Sequence, residues 1–350
     1  MSLRLEEIPT PGYERVVHAK DADTNLDAVI SVHNTRLGPG LGGVRMLPYV
    51  SLEAAVADAN LLSKAMTYKA AIAATGQGGG KAVIIGDPAT KTEAMMLSMG
   101  RFIEALDGQY IAAEDMNMTV ADLETIARET RWVSGLSIDR GSSGDPSPQT
   151  ALGCLIAMRV TAHEALGDQN LRGRSIAIQG VGAVGSALAR LCIEDGAEVT
   201  LCDLDDAKAH RVAAEIGARA LEGADACLQI PCDILSPCAR GTLFDAHSIP
   251  TLQCKAICGA ANNQLSTPEA GDRLRERGII YAPDYVANAG GIINIACEFS
   301  AEGYSLAVAR KRVESIGTAL EETFRLAESK NLSTAAAADI LAERRLAAGG

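Results

Sequence analysis

One glycine-rich stretch constrains the fold of this chain more than any other. Residues 176–185 read Ile-Ala-Ile-Gln-Gly-Val-Gly-Ala-Val-Gly, a short apolar run that enters three spaced glycines and is followed by a helical pattern. A second apolar run, residues 198–203, ends in Asp203. A strand, a glycine turn and a helix in this order bind the pyrophosphate of a dinucleotide, because the backbone N–H groups of the helix N-terminus face the phosphates. The stretch predicts an α/β domain of the Rossmann type.

Each residue type in this motif has a separate task. We expect Gly180 to permit the tight turn, Gly182 to let the backbone approach the pyrophosphate, and Gly185 to let the helix lie close to the strand. Asp203 stands at the spacing at which a carboxylate accepts hydrogen bonds from the adenosine ribose. That carboxylate would repel a 2′-phosphate, which favours NAD over NADP. A structural glycine turn in another α/β protein is the alternative, and the strand, helix and acid around the motif weigh against it.

The length and charge of the chain limit its organisation and its partners. At 350 residues the chain exceeds one typical hydrophobic core, so two domains are expected. The net charge of −12 argues against a nucleic-acid partner or an anionic membrane surface. We find no signal peptide and no run of ~20 apolar residues, and therefore expect a cytoplasmic protein that does not span a membrane.

The cysteines and histidines do not form a recognisable ligand pattern. The nine cysteines include no C-x-x-C pair, and none of the five histidines forms an H-E-x-x-H motif. We therefore expect reduced cysteines, most of them buried as small apolar residues, and no metal ion.

Alternating strand and helix patterns precede the dinucleotide motif. Strands are predicted at 14–19, 26–33, 82–86 and 109–113, and helices at 52–73 and 91–107, with residues 37–46 as a glycine-rich loop. Residues 139–148 are rich in Gly, Ser and Pro, which is typical of a domain boundary. We predict one domain over 1–143 with about 320–350, and an NAD-binding domain over 144–319.

A second glycine cluster, residues 76–81, points to a reactive lysine. Three consecutive glycines precede Lys81, a composition that strand or helix propensity does not favour. A phosphate-binding P-loop is excluded, because that motif needs Gly where Thr75 stands and Ser or Thr where Ala82 stands. The remaining interpretation is a lysine on a backbone that approaches a substrate closely, with a lowered pKa suited to acid–base catalysis. Lys69, twelve residues upstream, would be a second cation for a substrate carboxylate.

Asp115 is the candidate carboxylate of this region. It ends a predicted strand in the sequence Ala-Ala-Glu-Asp-Met-Asn, residues 112–117. Carboxylates at the carboxyl ends of strands in α/β folds face ligand crevices. A cap or turn carboxylate is the alternative interpretation.

Taken together, these motifs resemble those of the glutamate/leucine/phenylalanine/valine family of amino acid dehydrogenases. The matching segments besides the dinucleotide motif are residues 37–46, 66–69, 78–81, 113–117, 259–263 and 283–291. The resemblance implies two α/β domains with a cleft between them, the second a Rossmann-type NAD-binding domain. It also implies a homo-oligomer and reversible NAD-dependent oxidative deamination of an L-amino acid to a 2-oxo acid and ammonium.

The resemblance also implies a role for individual residues. Lys69 would bind the substrate α-carboxylate, Lys81 would activate water against an imine, and Asp115 would exchange protons with the amino nitrogen. The other substrate-binding residues implied are Leu41, Gly42, Gly43, Ala113, Asn262, Ile292 and Ile295. The cofactor-binding residues implied are Thr150, Gly180, Gly182, Ala183, Val184, Gly185, Asp203 and Asn288.

The residues expected around the substrate side chain favour an apolar amino acid. The glutamate enzymes of the family carry a lysine where this chain has Leu41 and a serine where it has Ile295. An apolar wall cannot compensate a buried carboxylate, so glutamate is disfavoured. The bulky, β-branched Ile292 and Ile295 favour Leu, Val or Ile, and an aromatic substrate (Phe or Trp) stays open. Two departures from the family pattern, Gln77 and Met118, bear on substrate identity.

Two further hypotheses compete with this one. The first is another NAD enzyme that joins an amine to a keto acid. The second is a non-catalytic NAD-sensing protein, against which the presence of Lys69, Lys81 and Asp115 argues.

Overall fold

The structure is a computed structural model that describes residues 2–349 of the chain. It divides into two compact units. The first comprises residues up to Asp145, Ile295–Leu306 and the residues from Ala342; the second comprises Pro146–Asn294 and Ala307–Leu341. Both units are α/β, as the sequence predicts.

The first unit is built on a mixed sheet of six strands in the order β1-β2-β3-β5-β4-β6. The pairs β1–β2, β2–β3 and β3–β5 are antiparallel, whereas the pairs β5–β4 and β4–β6 are parallel. The strands are β1 (Arg4–Glu7), β2 (Arg15–Asp21), β3 (Leu26–Asn34), β4 (Gly40–Leu47), β5 (Gly78–Ile85) and β6 (Tyr110–Glu114). The helices are α1 (Leu52–Ile72), α2 (Glu93–Glu104) and α3 (Val120–Ile126).

The helices of this unit begin where the sequence provides caps. Ser51 caps α1 by accepting a hydrogen bond from the N–H of Ala54, and Thr119 forms a capping box with Asp122 at the start of α3. The apolar stripe of α2 is buried, including Met99. This methionine-rich stripe belongs to the apolar core of the unit.

The structure corrects the prediction that residues 37–46 form a loop. They are not a loop throughout, because β4 begins at Gly40 and runs to Leu47 between β5 and β6. The three glycines before Lys81 likewise lie in a strand, β5. A Cβ atom on Gly42 would lie 1.7 Å from the carbonyl oxygen of Gly80. Glycine is required here because the two backbones approach too closely for any side chain, which strand propensity alone does not reveal.

The second unit is built on a parallel sheet of six strands in the order β12-β11-β10-β7-β8-β9. The strand order reverses beside β7, which is the Rossmann arrangement and places a ligand crevice at the carboxyl end of β7. The strands are β7 (Ser175–Gln179), β8 (Glu198–Cys202), β9 (Arg219–Ala220), β10 (Cys232–Pro237), β11 (Cys254–Ile257) and β12 (Ile280–Tyr281).

The first helix of this unit, α4, begins at Ser147, within the residues 139–148 that are rich in Gly, Ser and Pro. The remaining helices are α5 (Ala183–Glu194), α6 (Asp206–Ile216), α7 (Pro268–Glu276), α8 (Asp284–Ala287), α9 (Gly290–Ala296), α10 (Leu306–Val313), α11 (Ser315–Lys330) and α12 (Thr334–Ala348); α4 spans Ser147–Leu166.

The extent of the second unit differs from the sequence prediction at its C-terminal side. The return to the first unit was expected near residue 320, but residues 307–341 belong to the second unit. The reason is packing: α11 lies against α4, and a Cβ atom on Gly317 would be 3.3 Å from the side chain of Ile156. Leu320 and Phe324 of α11 are buried.

The cysteines are free, and eight of the nine are buried. Among residues 2–349, no group of three or more His, Cys, Asp or Glu side chains is placed to hold a metal ion. Over the same described range, none of the helices is long and apolar enough to cross a membrane.

Candidate active site

One face of the first sheet carries the predicted catalytic lysine and three of the predicted substrate-binding residues. Side chains alternate along a strand, and paired residues share a face. The register of β4, β5 and β6 therefore places on one face Leu41, Gly43, Gly79, Lys81 and Ala113. Helix α1 covers this face, because a Cβ atom on Gly79 would lie 2.1 Å from the hydroxyl of Thr67.

The two predicted catalytic residues are in direct contact. The ammonium group of Lys81 donates a hydrogen bond to Oδ2 of Asp115, which follows the last residue of β6. Lys81 is 6% exposed, so the pair is shielded from solvent on the lysine side. A Cβ atom on Gly43 would lie 2.5 Å from Cβ of Asp115, so glycine is needed at this position for the carboxylate to reach the lysine.

The electrostatics of the pair suit proton transfer. Burial lowers the pKa of Lys81 below that of a free lysine; the nearby charge of Asp115 opposes this effect and that of Arg45 reinforces it. Burial by itself raises the pKa of Asp115, but the charges of Lys81 and Arg45 outweigh it and hold that pKa below its usual range. The site therefore holds an anionic carboxylate beside a lysine that loses its proton more readily than an exposed one.

Three site residues were missed by sequence reasoning. Arg45 donates from Nε to Oδ2 of Asp115 at 2.9 Å, and from Nη1 to Oδ2 of Asp58 at 3.2 Å. The hydroxyl of Tyr49 donates to the same oxygen of Asp58 at 2.5 Å. Arg45 lies in the motif 37–46, so its residue type was visible, but no local signal shows which carboxylates it meets.

The other predicted residues of this unit lie nearby. Leu41 is fully buried, and the carbonyl oxygen of Gly42 accepts a hydrogen bond from Tyr110 at 2.6 Å. Lys69 stands in the last turn of α1, two residues after Thr67, and is partly buried. The two departures from the family pattern are both buried. Met118 joins the apolar core, and Oε1 of Gln77 has no hydrogen-bond partner in the part of the chain that the structure describes.

The dinucleotide motif of the second unit has the geometry that its sequence predicts. Gly180 adopts a φ of +95°, and a Cβ atom on Gly185 would lie 1.9 Å from the carbonyl oxygen of Gly180. Gly182 caps α5, whose first residues are Ala183 and Val184, and a Cβ atom on Gly182 would meet no atom within 4 Å. The space in front of Gly182 and the free N–H groups of the helix start fit a pyrophosphate.

Asp203 is hydrogen-bonded to this glycine turn. Its Oδ2 accepts a hydrogen bond from the N–H of Val181 at 2.7 Å, and its Oδ1 accepts one from the N–H of Asp205 at 3.0 Å. Burial raises the pKa of Asp203, but these N–H groups outweigh it and hold the pKa below its usual value. The carboxylate is therefore anionic at neutral pH.

A polar cluster in the same unit joins the residues predicted for the nicotinamide and substrate. The amide of Asn288 donates to Oδ1 of Asn262 at 2.8 Å and to the carbonyl oxygen of Ala260 at 3.0 Å. Among residues 2–349, Oδ1 of Asn288 is buried without a hydrogen-bond partner, and so is Oε1 of Gln149, which precedes Thr150. Orphaned acceptors of this kind fit an amide donor such as the carboxamide of nicotinamide. Thr150 lies against Gly291, because a Cβ atom added to Gly291 would lie 2.7 Å from the threonine hydroxyl oxygen.

The two isoleucines predicted to line the side-chain pocket fall in different units. Ile292 is buried in the second unit, and Ile295 is partly buried in the segment 295–306 of the first. Their role stays a prediction.

These observations define a class: an oxidoreductase with a dinucleotide-binding unit and a buried lysine–carboxylate pair. Comparison with known families is specific. The Glu/Leu/Phe/Val dehydrogenase dimerisation domain matches residues 13–132, and the Glutamate/Leucine/Phenylalanine/Valine dehydrogenase domain matches residues 141–208 and 200–348. The chain therefore belongs to the Glu/Leu/Phe/Val dehydrogenase family and is an amino acid dehydrogenase, an oxidoreductase that uses a nicotinamide cofactor.

Individual relatives match along almost the whole chain. A leucine dehydrogenase from Geobacillus stearothermophilus is 46% identical over 338 residues, which cover 96% of this chain and 91% of the relative. A valine dehydrogenase from Streptomyces virginiae is 42% identical over 338 residues, covering 96% and 94%. The crystal structure of L-tryptophan dehydrogenase from Nostoc punctiforme superposes with a TM-score of 0.84 at 37% identity and covers 97% of each chain.

Proposed function

We propose that this protein catalyses the reversible, NAD-dependent oxidative deamination of a branched-chain L-amino acid (Leu, Val or Ile) to the 2-oxo acid and ammonium. The observation that carries the proposal is the buried contact between Lys81 and Asp115, which Gly43 allows because a side chain at that position would overlap Asp115. The similarity to leucine and valine dehydrogenases supports the choice of substrate class.

The proposed chemistry begins with removal of a proton and a hydride from the substrate. Lys69 binds the α-carboxylate, and Asp115 accepts a proton from the amino nitrogen. When bound, the nicotinamide ring of NAD supplies the hydride acceptor for the hydrogen on Cα. Loss of the hydride and the proton converts the amine to an imine.

Hydrolysis of the imine uses both residues of the pair. Lys81 takes a proton from a water molecule whose oxygen adds to the imine carbon. Asp115 returns its proton to the nitrogen, and Lys81 then passes to the nitrogen the proton that it took from water. The remaining hydroxyl proton passes to Asp115 as the C–N bond breaks, so that ammonia leaves and the carbon retains the oxygen as a 2-oxo group; Asp115 then releases this proton to solvent. Reversal of the same steps gives reductive amination, because the residues exchange the same protons in the opposite order.

Apolar residues favour a branched aliphatic side chain. Leu41 replaces the lysine that glutamate enzymes of the family carry, and Ile292 and Ile295 complete the predicted pocket. A substrate carboxylate here would lose its hydration without a compensating charge. The second candidate is an aromatic L-amino acid, which is favoured by the similarity to the tryptophan dehydrogenase structure.

The proposal for NAD rather than NADP rests on Asp203. Its carboxylate is anionic and tied to the glycine turn, so a 2′-phosphate at the ribose would meet a like charge. Thr150 and Asn288 would hold the nicotinamide end. Consistent with the family's named dimerisation domain, we also propose a homo-oligomer, and we propose that it acts in the cytoplasm on free amino acids.

Initial rates of NADH formation at alkaline pH test this proposal. The purified protein is assayed with L-Leu, L-Val, L-Ile, L-Phe, L-Trp and L-Glu, with NAD and NADP in parallel. We expect turnover of the branched-chain substrates with NAD and little with Glu. A preference for Phe or Trp would overturn the pocket assignment, and absence of turnover with all six would overturn the reaction.

A further inference from the structure

Asp115 is held by two cations on the same oxygen atom. Both Nζ of Lys81 and Nε of Arg45 donate to Oδ2. Within the described residues, Oδ1 of Asp115 accepts no hydrogen bond. The orientation of the carboxylate is thus fixed by one oxygen, and the other oxygen is available to a ligand.

Arg45 is itself anchored by a second element. It lies on β4 and bridges Asp115 to Asp58 on α1, and Tyr49 donates to the same oxygen of Asp58. The side chain of Arg45 is only 16% exposed. An arginine side chain between two carboxylates on two elements has little freedom to move, since each carboxylate fixes a different part of its planar guanidinium group.

The two cations differ in one respect that matters for the reaction. Lys81 must lose and regain a proton during the proposed cycle, so its attraction for Asp115 varies. A guanidinium group does not lose its proton in proteins. Arg45 therefore provides a positive charge at Oδ2 in every step.

We propose that Arg45 is a positioning residue: it holds Oδ2 of Asp115, leaves Oδ1 for proton exchange with the substrate nitrogen, and keeps the carboxylate anionic while Lys81 is neutral. Asp58 and Tyr49 hold Arg45 in place. This inference rests on the proposed function, since it assigns Arg45 to the same acid–base pair.

The charges around the pair fix the sign of the expected effect. The groups that interact electrostatically with it are Arg45 from β4, Asp58 from α1, and Tyr110 and Glu114 from β6. The positive charge of Arg45 lowers the pKa of Lys81. Removing that charge therefore raises the pKa of Lys81, so the rate of oxidative deamination, which needs the neutral lysine, rises at higher pH than in the wild-type enzyme.

Three variants test the proposal through the pH dependence of NADH formation from L-leucine. We expect Arg45→Met to lower kcat by about 100-fold, the loss typical of a misplaced catalytic group, and to move the rise in kcat/KM to higher pH. Arg45→Lys keeps the charge but cannot bridge both carboxylates, so we expect an unmoved pH profile and a kcat about tenfold lower. The matched control is Arg101→Met, because Arg101 also joins two carboxylates of this unit, Asp21 and Glu129; its kcat and pH profile should be those of the wild type.

A second readout does not depend on turnover. Competitive labelling with acetic anhydride over a range of pH, measured by mass spectrometry on the peptide that contains Lys81, gives the titration midpoint of this lysine. The midpoint should be higher in Arg45→Met than in the wild type and unchanged in Arg101→Met. An unmoved midpoint, or an Arg45→Lys enzyme with wild-type kcat, would overturn the role of Arg45.

A wild-type protein that forms no NADH from any L-amino acid would overturn the proposed function instead, and the labelling would still decide whether Arg45 sets the charge of the pair. Should Arg45→Met fail to fold, Arg45→Lys decides the positioning role on kcat.

Discussion

Each of the two units contains a glycine cluster at its candidate site, and the two clusters differ in what surrounds the position where a side chain would begin. In the first unit, Gly42 faces backbone, since a Cβ atom there would lie 1.7 Å from the carbonyl oxygen of Gly80. In the second, Gly182 faces open space, with no atom within 4 Å of its Cβ position. The first glycine is needed by the fold, and we propose that the second leaves space for a ligand.

This difference indicates how the two units divide the work of the enzyme. In the first unit, close strand packing brings two ionisable side chains, Lys81 and Asp115, together in a buried place. In the second, we propose that the backbone itself forms the binding surface, through the N–H groups at the start of α5. The former arrangement suits proton transfer, and the latter suits the binding of a large anion.

The largest effect should come from the side chains that the first cluster brings together. We expect Lys81→Met to lower the rate of NADH formation by about 1,000-fold, the range for loss of a general acid–base group, with little change in the Kd for NAD. The matched control is Lys91→Met, which removes another lysine–aspartate pair of this unit, with Asp122 at 2.6 Å, and should keep its turnover. Steady-state kinetics and a fluorescence titration with NADH check both, and a Lys81→Met enzyme within tenfold of the wild type would contradict the assignment.

The next effect is a loss of stability, which we expect for a substitution in the first cluster and not for one in the second. Gly42→Ala places a methyl group on the backbone of β5, so we expect the free energy of unfolding to fall by about 3 kcal/mol, the upper part of the range for overpacking. Gly182→Ala, with a φ of −65° and open space, should change that free energy by less than about 0.5 kcal/mol. Urea unfolding followed by circular dichroism measures both. Equal losses would remove the contrast between the clusters.

The third effect is a loss of cofactor affinity, which we expect for a substitution in the second cluster. In Gly182→Ala the added methyl group occupies space that we assign to the pyrophosphate, so we expect the Kd for NAD to rise by about 10- to 100-fold, corresponding to 1–3 kcal/mol of overpacking. Isothermal titration calorimetry provides the measurement. An unchanged Kd would mean that the space in front of Gly182 is not the cofactor site.

The smallest effect concerns cofactor choice. Asp203→Asn removes the negative charge but keeps an amide oxygen that can accept from the N–H of Val181. We expect the ratio of kcat/KM for NADP to that for NAD to rise by about tenfold, or ~1.4 kcal/mol of relieved repulsion. If the ratio stays constant, Asp203 does not discriminate between the two cofactors.

The two clusters also differ in how far they could be predicted from the sequence. The dinucleotide motif is local: strand, glycines, helix and acid follow one another within 28 residues, and the structure has the predicted turn, with Gly180 at positive φ and Asp203 tied to it. The first cluster is not local. Residues 40–47 resemble a loop because the strand that requires their glycines lies 38 positions further along the chain.

Arg45 illustrates the same limit. Its partners Asp58 and Asp115 stand 13 and 70 residues away, so no periodicity or spacing could place them together. The boundary expected near residue 320 failed for a related reason, because the polar, helical composition of α11 does not reveal that it packs on α4. Lys81 and Asp115, in contrast, were identified through their motifs, and the structure adds that they touch.

The most direct test of the central claim is whether consumption of NADH requires ammonium. The protein is mixed with NADH and 4-methyl-2-oxopentanoate, and the absorbance at the NADH band is followed before and after addition of ammonium chloride, with sodium chloride as the control for ionic strength. An amino acid dehydrogenase that uses Lys81 and Asp115 as proposed should oxidise NADH only after ammonium is added, and L-leucine should accumulate in equal amount. Oxidation of NADH without ammonium, with a 2-hydroxy acid as product, would contradict the account.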